Sequence, residues 1–350
     1  MRRFKHLTWD DRVQIAAFLI AKKTPRYIAE QVGCSAATIY NEMKRGRYDH
    51  RNSDWTTENR YSPEIAEKRY RANLAAKGAP LKIGSDIRLA NYIEDKIANE
   101  KYSPAAVLGE IETKGLEFDT MICVGTIYNY IDSGVFLRLE KRHLPMRGKR
   151  KRSSYKQVQT VKRAHRGKSI EKRTWEINKR GTFGHWEMDC VEGKKGSSRT
   201  GLMLTERRSR HNFVMPMDAQ TSANVVAELD RLERKYGELF YQMFKTITVD
   251  NGSEFADCDG MQRSCVHPGK KRLTVYYCHP YSYWERGSNE RNNGIFRRQV
   301  PKGTDLNDVS DEEMARIERW MNTYPRPMFG YRCAQDIFDD EMALLINARK

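Results

Sequence analysis

The spacing of apolar residues changes period once along this chain, and that change divides what it can fold into. Up to Gly134 the apolar positions recur every three or four residues, as on amphipathic helices. From Gly184 onward they fall in short runs that read as strands joined by turns. Between the two regimes lies a basic block. Residues 141–180 carry sixteen Lys and Arg against two acids, Glu171 and Glu176, and so supply 14 of the 17 net positive charges. Charge this concentrated points to a polyanionic partner. KRHLPMRGKRKR reads as a backbone-binding linker, with Lys149, Arg150, Lys151 and Arg152 as phosphate contacts, or else as a solvated tail.

The helical part has an internal repeat. LTWDDRVQIAAFLIAKK reads as a helix opened by a capping-box-like Thr8 and Asp11, with Val13, Ile15, Ala16, Leu19 and Ile20 facing inward. TPRYIAEQVGCSAATIYNEMKRG adds a helix, a turn at Gly33, Ser35 as N-cap and a helix through Ile39 and Met43 to a stop at Gly46. This is the helix-turn-helix pattern, whose second helix enters the major groove. Its candidate DNA contacts are Ser35, Thr38, Tyr40, Asn41, Lys44 and Arg45; an ordinary three-helix packing unit is the alternative. TIYN recurs at Thr126–Asn129 within Tyr102–Gly134, again followed by a glycine, which predicts a second reading unit with Thr126, Tyr128 and Asn129 exposed. The expected organisation is a helix-turn-helix domain at 1–50, a helical connector at 51–100, a second helix-turn-helix at 101–140, the basic linker at 141–180, an α/β domain at 181–325 and a C-terminal extension at 326–350.

In the α/β region, GHWEMDCVEG, TGLMLTERRSR and HNFVMPMDAQ predict three strands. A helix N-capped by Ser222 follows, then strands in FKTITVDNGSEF and KRLTVYYCHPYS, and a helix from near Ser288. Asp189, Asp250 and Glu290 then sit on the first strand, at the end of a central strand, and on the late helix. Glu290 lies among arginines and asparagines, an odd place for an acid unless a cation separates it from the phosphates that Arg291, Arg297 and Arg298 attract. Two divalent cations held by carboxylates activate the attacking oxygen and stabilise the leaving oxygen in phosphodiester chemistry, and Mg²⁺ keeps part of its water shell in such sites. Singly, each acid has a bland reading: Asp250 a turn residue, Glu290 a solvated helix charge.

GHWEMD, TVDNGSEF, CHPYSYWERGSNERNNGIFRR and PKGTDL together resemble DDE transposases of the bacterial insertion sequence 30 family, over essentially the whole chain. The resemblance implies N-terminal all-α helix-turn-helix domains and a C-terminal α/β ribonuclease H-like, retroviral integrase-like catalytic domain. It implies that Asp189, Asp250 and Glu290 bind two Mg²⁺ or Mn²⁺ ions, with Arg297 in the basic position that follows the glutamate. It further implies binding to terminal inverted repeats and target DNA, cleavage to a 3′-hydroxyl, and strand transfer, often through a circular intermediate. Joining two ends in one complex requires an oligomer, at least a dimer. A DNA-binding repressor with an inactive ribonuclease H-like domain and a purely hydrolytic nuclease of the same fold are the rivals.

Asp250 and Glu290 are 40 positions apart, a few more than expected for the family. The additional residues fall in ADCDGMQRSCVHPGKKR, which brings Cys258, Cys265, His267, Cys278 and His279 close in sequence as a basic surface loop or a structural zinc site. His185 could position DNA, Trp186 could do the same or belong to the core, and Tyr283 and Trp284 could stack on a base or form a packed corner. Seven scattered cysteines argue against a disulfide framework, and neither a long apolar run nor a signal-peptide pattern is seen. The expected location is therefore the bacterial cytoplasm, in association with the nucleoid and not with a membrane.

Overall fold

The computed structural model describes residues 6–75, 81–145, 167–280 and 282–347. The chain forms two compact units, residues 1–84 and 85–350.

The first unit contains α1 (Trp9–Ile20), α2 (Pro25–Val32), α3 (Ala36–Gly46), β1 (Arg47–Arg51), β2 (Thr57–Tyr61) and α4 (Pro63–Ala75). Thr8 and Asp11 close a reciprocal capping box at the start of α1. Gly33 takes the left-handed conformation (φ 73°) that ends α2, and Ser35 caps α3. Leu7, Ile15, Ile28, Ala29, Val32 and Ile39 form the core. The inward face of α1 differs from the expected one: Val13 and Ile20 are exposed, and Arg12 is buried, with Nε 2.7 Å from Glu42 and Nη1 2.7 Å from Glu67. Its guanidinium is tolerated inside because two carboxylates compensate it.

α3 ends at Gly46, as expected. A Cβ there would run into the Tyr61 ring, so glycine also permits the close approach of β2. The segment expected to begin a helical connector instead completes an antiparallel hairpin, registered from Arg47↔Tyr61 to Arg51↔Thr57, so the N-terminal region is not all-α. RYDHR and TENRY bury no residue fully, which is why no alternating apolar signal marks them as strands.

The second unit opens with α5 (Ile87–Ala98), α6 (Pro104–Thr113) and α7 (Val124–Asp132), then β3 (Lys168–Ser169) and α8 (Trp175–Asn178). There follow β4 (His185–Glu192), β5 (Thr200–Glu206), β6 (Asn212–Met217), α9 (Ser222–Tyr236), α10 (Phe240–Met243), β7 (Thr246–Val249), α11 (Cys258–Gln262) and β8 (Thr274–Tyr277). The unit closes with α12 (Gly287–Gln299), α13 (Asp311–Thr323) and α14 (Ala334–Asn347). The six strands form one sheet in the order β3-β8-β7-β4-β5-β6. β4, β5 and β6 are antiparallel neighbours, whereas β7 and β8 run parallel to β4 on its other side. The link from β6 to β7 is thus a crossover, which α9 supplies. Thr221, one residue before the expected Ser222, caps α9.

Alternation along β4 decides the two faces of the sheet. Trp186 and Met188 join Leu202, Leu204, Val225, Leu229, Phe240, Phe244 and Phe338 in the main core, with Trp186 stacked 4.6 Å from Phe244. Trp186 is therefore core. Phe338 belongs to α14, so the expected C-terminal extension is part of the core. His185, Glu187 and Asp189 point to the other face, where α12 and α13 pack. The helices α5–α7 are tied to α13: Trp320 Nε1 donates to Glu100 O at 2.8 Å, and Ser103 N donates to Tyr324 Oη at 3.2 Å. No helix among the described residues is long and apolar enough to cross a membrane.

Candidate active site

The pairing register places the first two acids side by side. In the parallel β4·β7 ladder, His185 is opposite Thr246 and Glu187 opposite Thr248; two more positions bring Asp189 beside Asp250, just past the end of β7. Adjacent strands lie about 4.8 Å apart, so the two carboxylates face a common point. A cation stands there. Arg286 Nη1 is 3.0 Å from Asp189 Oδ1, and its Nη2 is 2.7 Å from Asp250 Oδ2. Burial would lower the basicity of Arg286, but Asp189 and Asp250 outweigh it and raise its pKa.

The third acid comes from α12, whose position is fixed by a residue the sequence did not single out. Glu187, fully buried, accepts hydrogen bonds from the backbone N–H groups of Ser288 (2.9 Å) and Asn289 (3.0 Å). These are orphan donors of the first helical turn, and a carboxylate there also suits the positive end of the helix dipole. Arg207 Nε, 3.3 Å away, balances the charge. The only signal for Glu187 in the sequence was its place two residues before Asp189 on an otherwise apolar strand.

Along α12, Ser288, Asn289, Asn292, Ile295 and Phe296 are buried, and Glu290 is exposed. Asn293, one turn beyond Glu290, donates to Asp189 Oδ2 at 2.8 Å, so Glu290 occupies the helical face that borders Asp189. Glu290 nevertheless lies outside the Asp189–Arg286–Asp250 cluster. Among the described residues the one trio of ligand atoms within 4.8 Å of one another is Asp230, Glu233 and Cys265, and buried Arg272 pairs with both of its carboxylates. The asparagines of RNNG do not all face solvent either: Asn292 donates to Thr205 Oγ1 (3.3 Å) and accepts from Arg326 (2.9 Å) beneath the helix.

The donor set suits a hard divalent cation. Asp189 and Asp250 offer carboxylate oxygens that already share one cationic group, and the Arg286 guanidinium stands where metal charge would sit.

The other candidates differ in exposure and in what they touch. Tyr40, Asn41 and Lys44 are exposed on α3, while Ser35 and Thr38 share a hydroxyl hydrogen bond at the cap and Arg45 pairs with Glu42. TIYN repeats in three dimensions: Ile39 and Ile127 are both buried, Tyr40 and Tyr128 both exposed, and Thr126 contacts the cap residue Cys123 as Thr38 contacts Ser35. The connection from α6 to α7 spans residues 114–123, longer than the Gly33–Ser35 turn. Asn129, Arg291 and Trp284 are exposed. Arg297 donates to Glu192 O at 2.6 Å and Arg298 to Tyr324 Oη at 2.9 Å. Lys149, Arg150, Lys151 and Arg152 lie outside the described residues.

The Cys/His-rich stretch is a surface loop at its basic end, where Lys270 and Lys271 are exposed, but not throughout, and it forms no zinc cluster among the described residues. Cys258 and Met261 enter the core, and Arg272 is buried against Asp230 and Glu233 of α9. Burial would raise the Glu233 carboxyl, but hydrogen bonds from Ser264, the Cys265 N–H and Tyr241 hold it down at about 2. His267 pairs with Glu238, and His279 with Glu285 and Glu171. His185 is buried, 2.8 Å from Thr246 Oγ1, and burial pushes its pKa down to about 4.

Comparison with known proteins finds relatives along nearly the whole chain. A helix-turn-helix domain family matches residues 3–46. The probable transposase for insertion-like sequence element IS1161 of Streptococcus salivarius is 28% identical over 352 residues, covering 96% of this chain and 95% of that protein. The transposase for insertion sequence element IS4351 of Bacteroides fragilis is 28% identical, covering 95% of each. Transposase InsI for insertion sequence element IS30A of Escherichia coli (strain K12) is also 28% identical, covering 98% of this chain and 86% of that protein. Across nearly its whole length, then, the chain is similar to insertion-sequence transposases of the IS30 type and carries a helix-turn-helix domain at its N-terminus.

Proposed function

We propose that the protein is a DNA transposase with a ribonuclease H-like catalytic domain, in which Asp189, Asp250 and Glu290 hold two Mg²⁺ or Mn²⁺ ions. The observation that carries this reading is the in-register placement of Asp189 and Asp250 on neighbouring parallel strands, converging on one cationic group. The strand order supports the fold assignment: an antiparallel trio β6-β5-β4 continued by parallel β7 and β8, with α9 as the crossover. Bound between the acids, divalent cations would supply activation of the attacking oxygen and stabilisation of the leaving oxygen.

The chain's own residues do the rest. Glu187 fixes the start of α12, and α12 presents Glu290 on the side of Asp189. Exposed side chains of α3, and of α7 as a second reading helix, recognise the terminal inverted repeats. Water attacks the phosphodiester at the element's end, leaving the phosphate on the flanking 5′ end and freeing the element's 3′-hydroxyl; that hydroxyl then attacks a second phosphodiester and displaces its 3′-oxygen as a new 3′-hydroxyl, in a sequence that passes through a circular intermediate. Holding two ends requires at least a dimer.

The test is incubation of the purified protein with labelled duplex carrying the terminal repeat, in Mg²⁺ or EDTA, for wild type and Asp250→Asn. Metal-dependent nicking and joined products that vanish in the variant are expected. Nicking without joined products would indicate a nuclease, and specific binding without cleavage in any divalent cation would indicate a repressor.

A further inference from the structure

A cleft of about 530 Å³ opens between the α5–α7 module and the C-terminal half of α12. One wall is formed by Lys101, Arg142 and His143, and the other by Arg297, Arg298 and Lys302. No carboxylate among the described residues lines it. What these cations touch matters as much as their number. Lys101 Nζ donates to Ala98 O, Arg297 to Glu192 O, and Arg298 to the Tyr324 hydroxyl, all neutral oxygens that orient a side chain without cancelling its charge. Among the described residues Arg142 has an acid partner, the exposed Glu140, and such an exposed pair is weak. Burial lowers the basicity of Arg297, so an incoming anion would relieve an existing penalty.

The cleft shares α12 with Glu290. Arg297 is two helical turns beyond Glu290 on the same face of α12, roughly 10 Å along the axis at 1.5 Å per residue. That is about three nucleotides of one strand, at 3.4 Å each. The opposite wall is held in place, because Tyr324 bonds both Ser103 of the module and Arg298 of α12.

We propose that this cleft binds the phosphodiester backbone of the DNA strand that flanks the reacting phosphate, with Lys101, Arg142 and Lys302 as contacts beyond those on α12 itself. The α5–α7 module then grips the strand being processed as one jaw of a clamp, in addition to any sequence reading by α7. This rests on the reading that Asp189, Asp250 and Glu290 act on DNA.

The test is the salt dependence of DNA binding by the full chain in EDTA, comparing wild type, the double variant Arg142→Ala/Lys302→Ala, and Lys235→Ala on α9, which packs on the opposite sheet face. Both cleft side chains are exposed, so equal thermal unfolding is expected and checks that the fold is intact. Each phosphate contact contributes about 0.9 to the slope of log K against log salt, so the double variant should be shallower by about two and the α9 variant unchanged. Loss on terminal-repeat duplex alone assigns the cleft to the element's end, and loss on unrelated duplex as well extends it to target DNA. A wild-type slope in the double variant on both duplexes overturns the proposal. No cleavage is scored, so that result leaves the metal-site reading standing, and failure of the Asp250→Asn experiment leaves this one standing.

Discussion

Arg286 Nη2 lies 2.7 Å from Asp250 Oδ2 while the same guanidinium reaches Asp189, so a side chain holds the position between the two acids that the proposed metal would take. Ligands that need the same carboxylates compete, and whatever favours one disfavours the other. Removing the guanidinium should therefore tighten divalent cation binding. Arg286→Ala is expected to bind Mn²⁺ at least about tenfold more tightly than wild type in titration calorimetry without DNA, a difference of ~1.4 kcal/mol. Without metal the variant should unfold at lower temperature, because two facing carboxylates lose their counter-charge, and Mn²⁺ should restore it. Equal metal affinity in the two proteins would show that Arg286 does not compete for the site.

Glu187 supports the site from below. Glu187→Ala leaves two N–H groups of α12 without their buried acceptor and the Arg207 guanidinium without its counter-charge, a loss expected to cost about 3 kcal/mol in urea unfolding. Glu187→Gln keeps an oxygen for the helix N-terminus and should cost about half as much. Metal affinity separates positioning from mere stability: the alanine variant, studied at a temperature where it is folded, should bind Mn²⁺ more weakly, and the glutamine variant should recover most of that affinity. Wild-type affinity in both would remove Glu187 from the site's architecture.

What could be read from the sequence follows from which interactions are local. The capping box of Thr8 and Asp11, the left-handed Gly33 and the buried run through Ile247 and Val249 are set by a few consecutive residues, and each lies where the sequence puts it. The convergence of Asp189 with Asp250 depends on a parallel register across 61 positions, and the roles of Glu187, Arg286 and Asn292 exist only once α12 lies across β4. Charged residues that proved to be interior, such as Arg12 and Arg272, look like surface residues in sequence because their compensating acids are distant along the chain. The hairpin β1–β2 was missed for the opposite reason: it has no buried face to impose a period.

The docking of the α5–α7 module depends on a glycine. A Cβ on Gly109 would sit 2.0 Å from the ring of Tyr331, whose backbone is itself in the left-handed region (φ 64°) and has little freedom to retreat. Gly109→Ala should therefore force α6 away from the 326–331 turn and destabilise the protein by about 1–3 kcal/mol, as overpacking does. Circular dichroism at 222 nm during urea unfolding measures this. If the cause is steric, Gly109→Ala should cost less in a Tyr331→Ala background than in wild type; a purely additive double variant would rule out the Tyr331 ring as the cause, since Ala favours a helix interior over Gly by about 1 kcal/mol and cannot itself produce the loss.

Two buried histidines make stability depend on pH in a defined window. Burial pushes the pKa of both His185 and His211 down to about 4, from an ordinary 6.5. His185 is also in the field of Lys245, Arg207 and Arg173, and His211 is stacked 4.0 Å from Phe338. Between those pH values the unfolded chain binds protons that the folded chain refuses, so stability falls as pH drops. The loss begins near pH 6.5, grows to about pH 4, and levels off below that for these two groups. Urea midpoints at pH 7, 5.5 and 4.5 should fall progressively, and His185→Asn, which retains a polar partner for Thr246 and cannot titrate, should flatten the profile. A slope unchanged by that substitution would place the proton uptake at other groups.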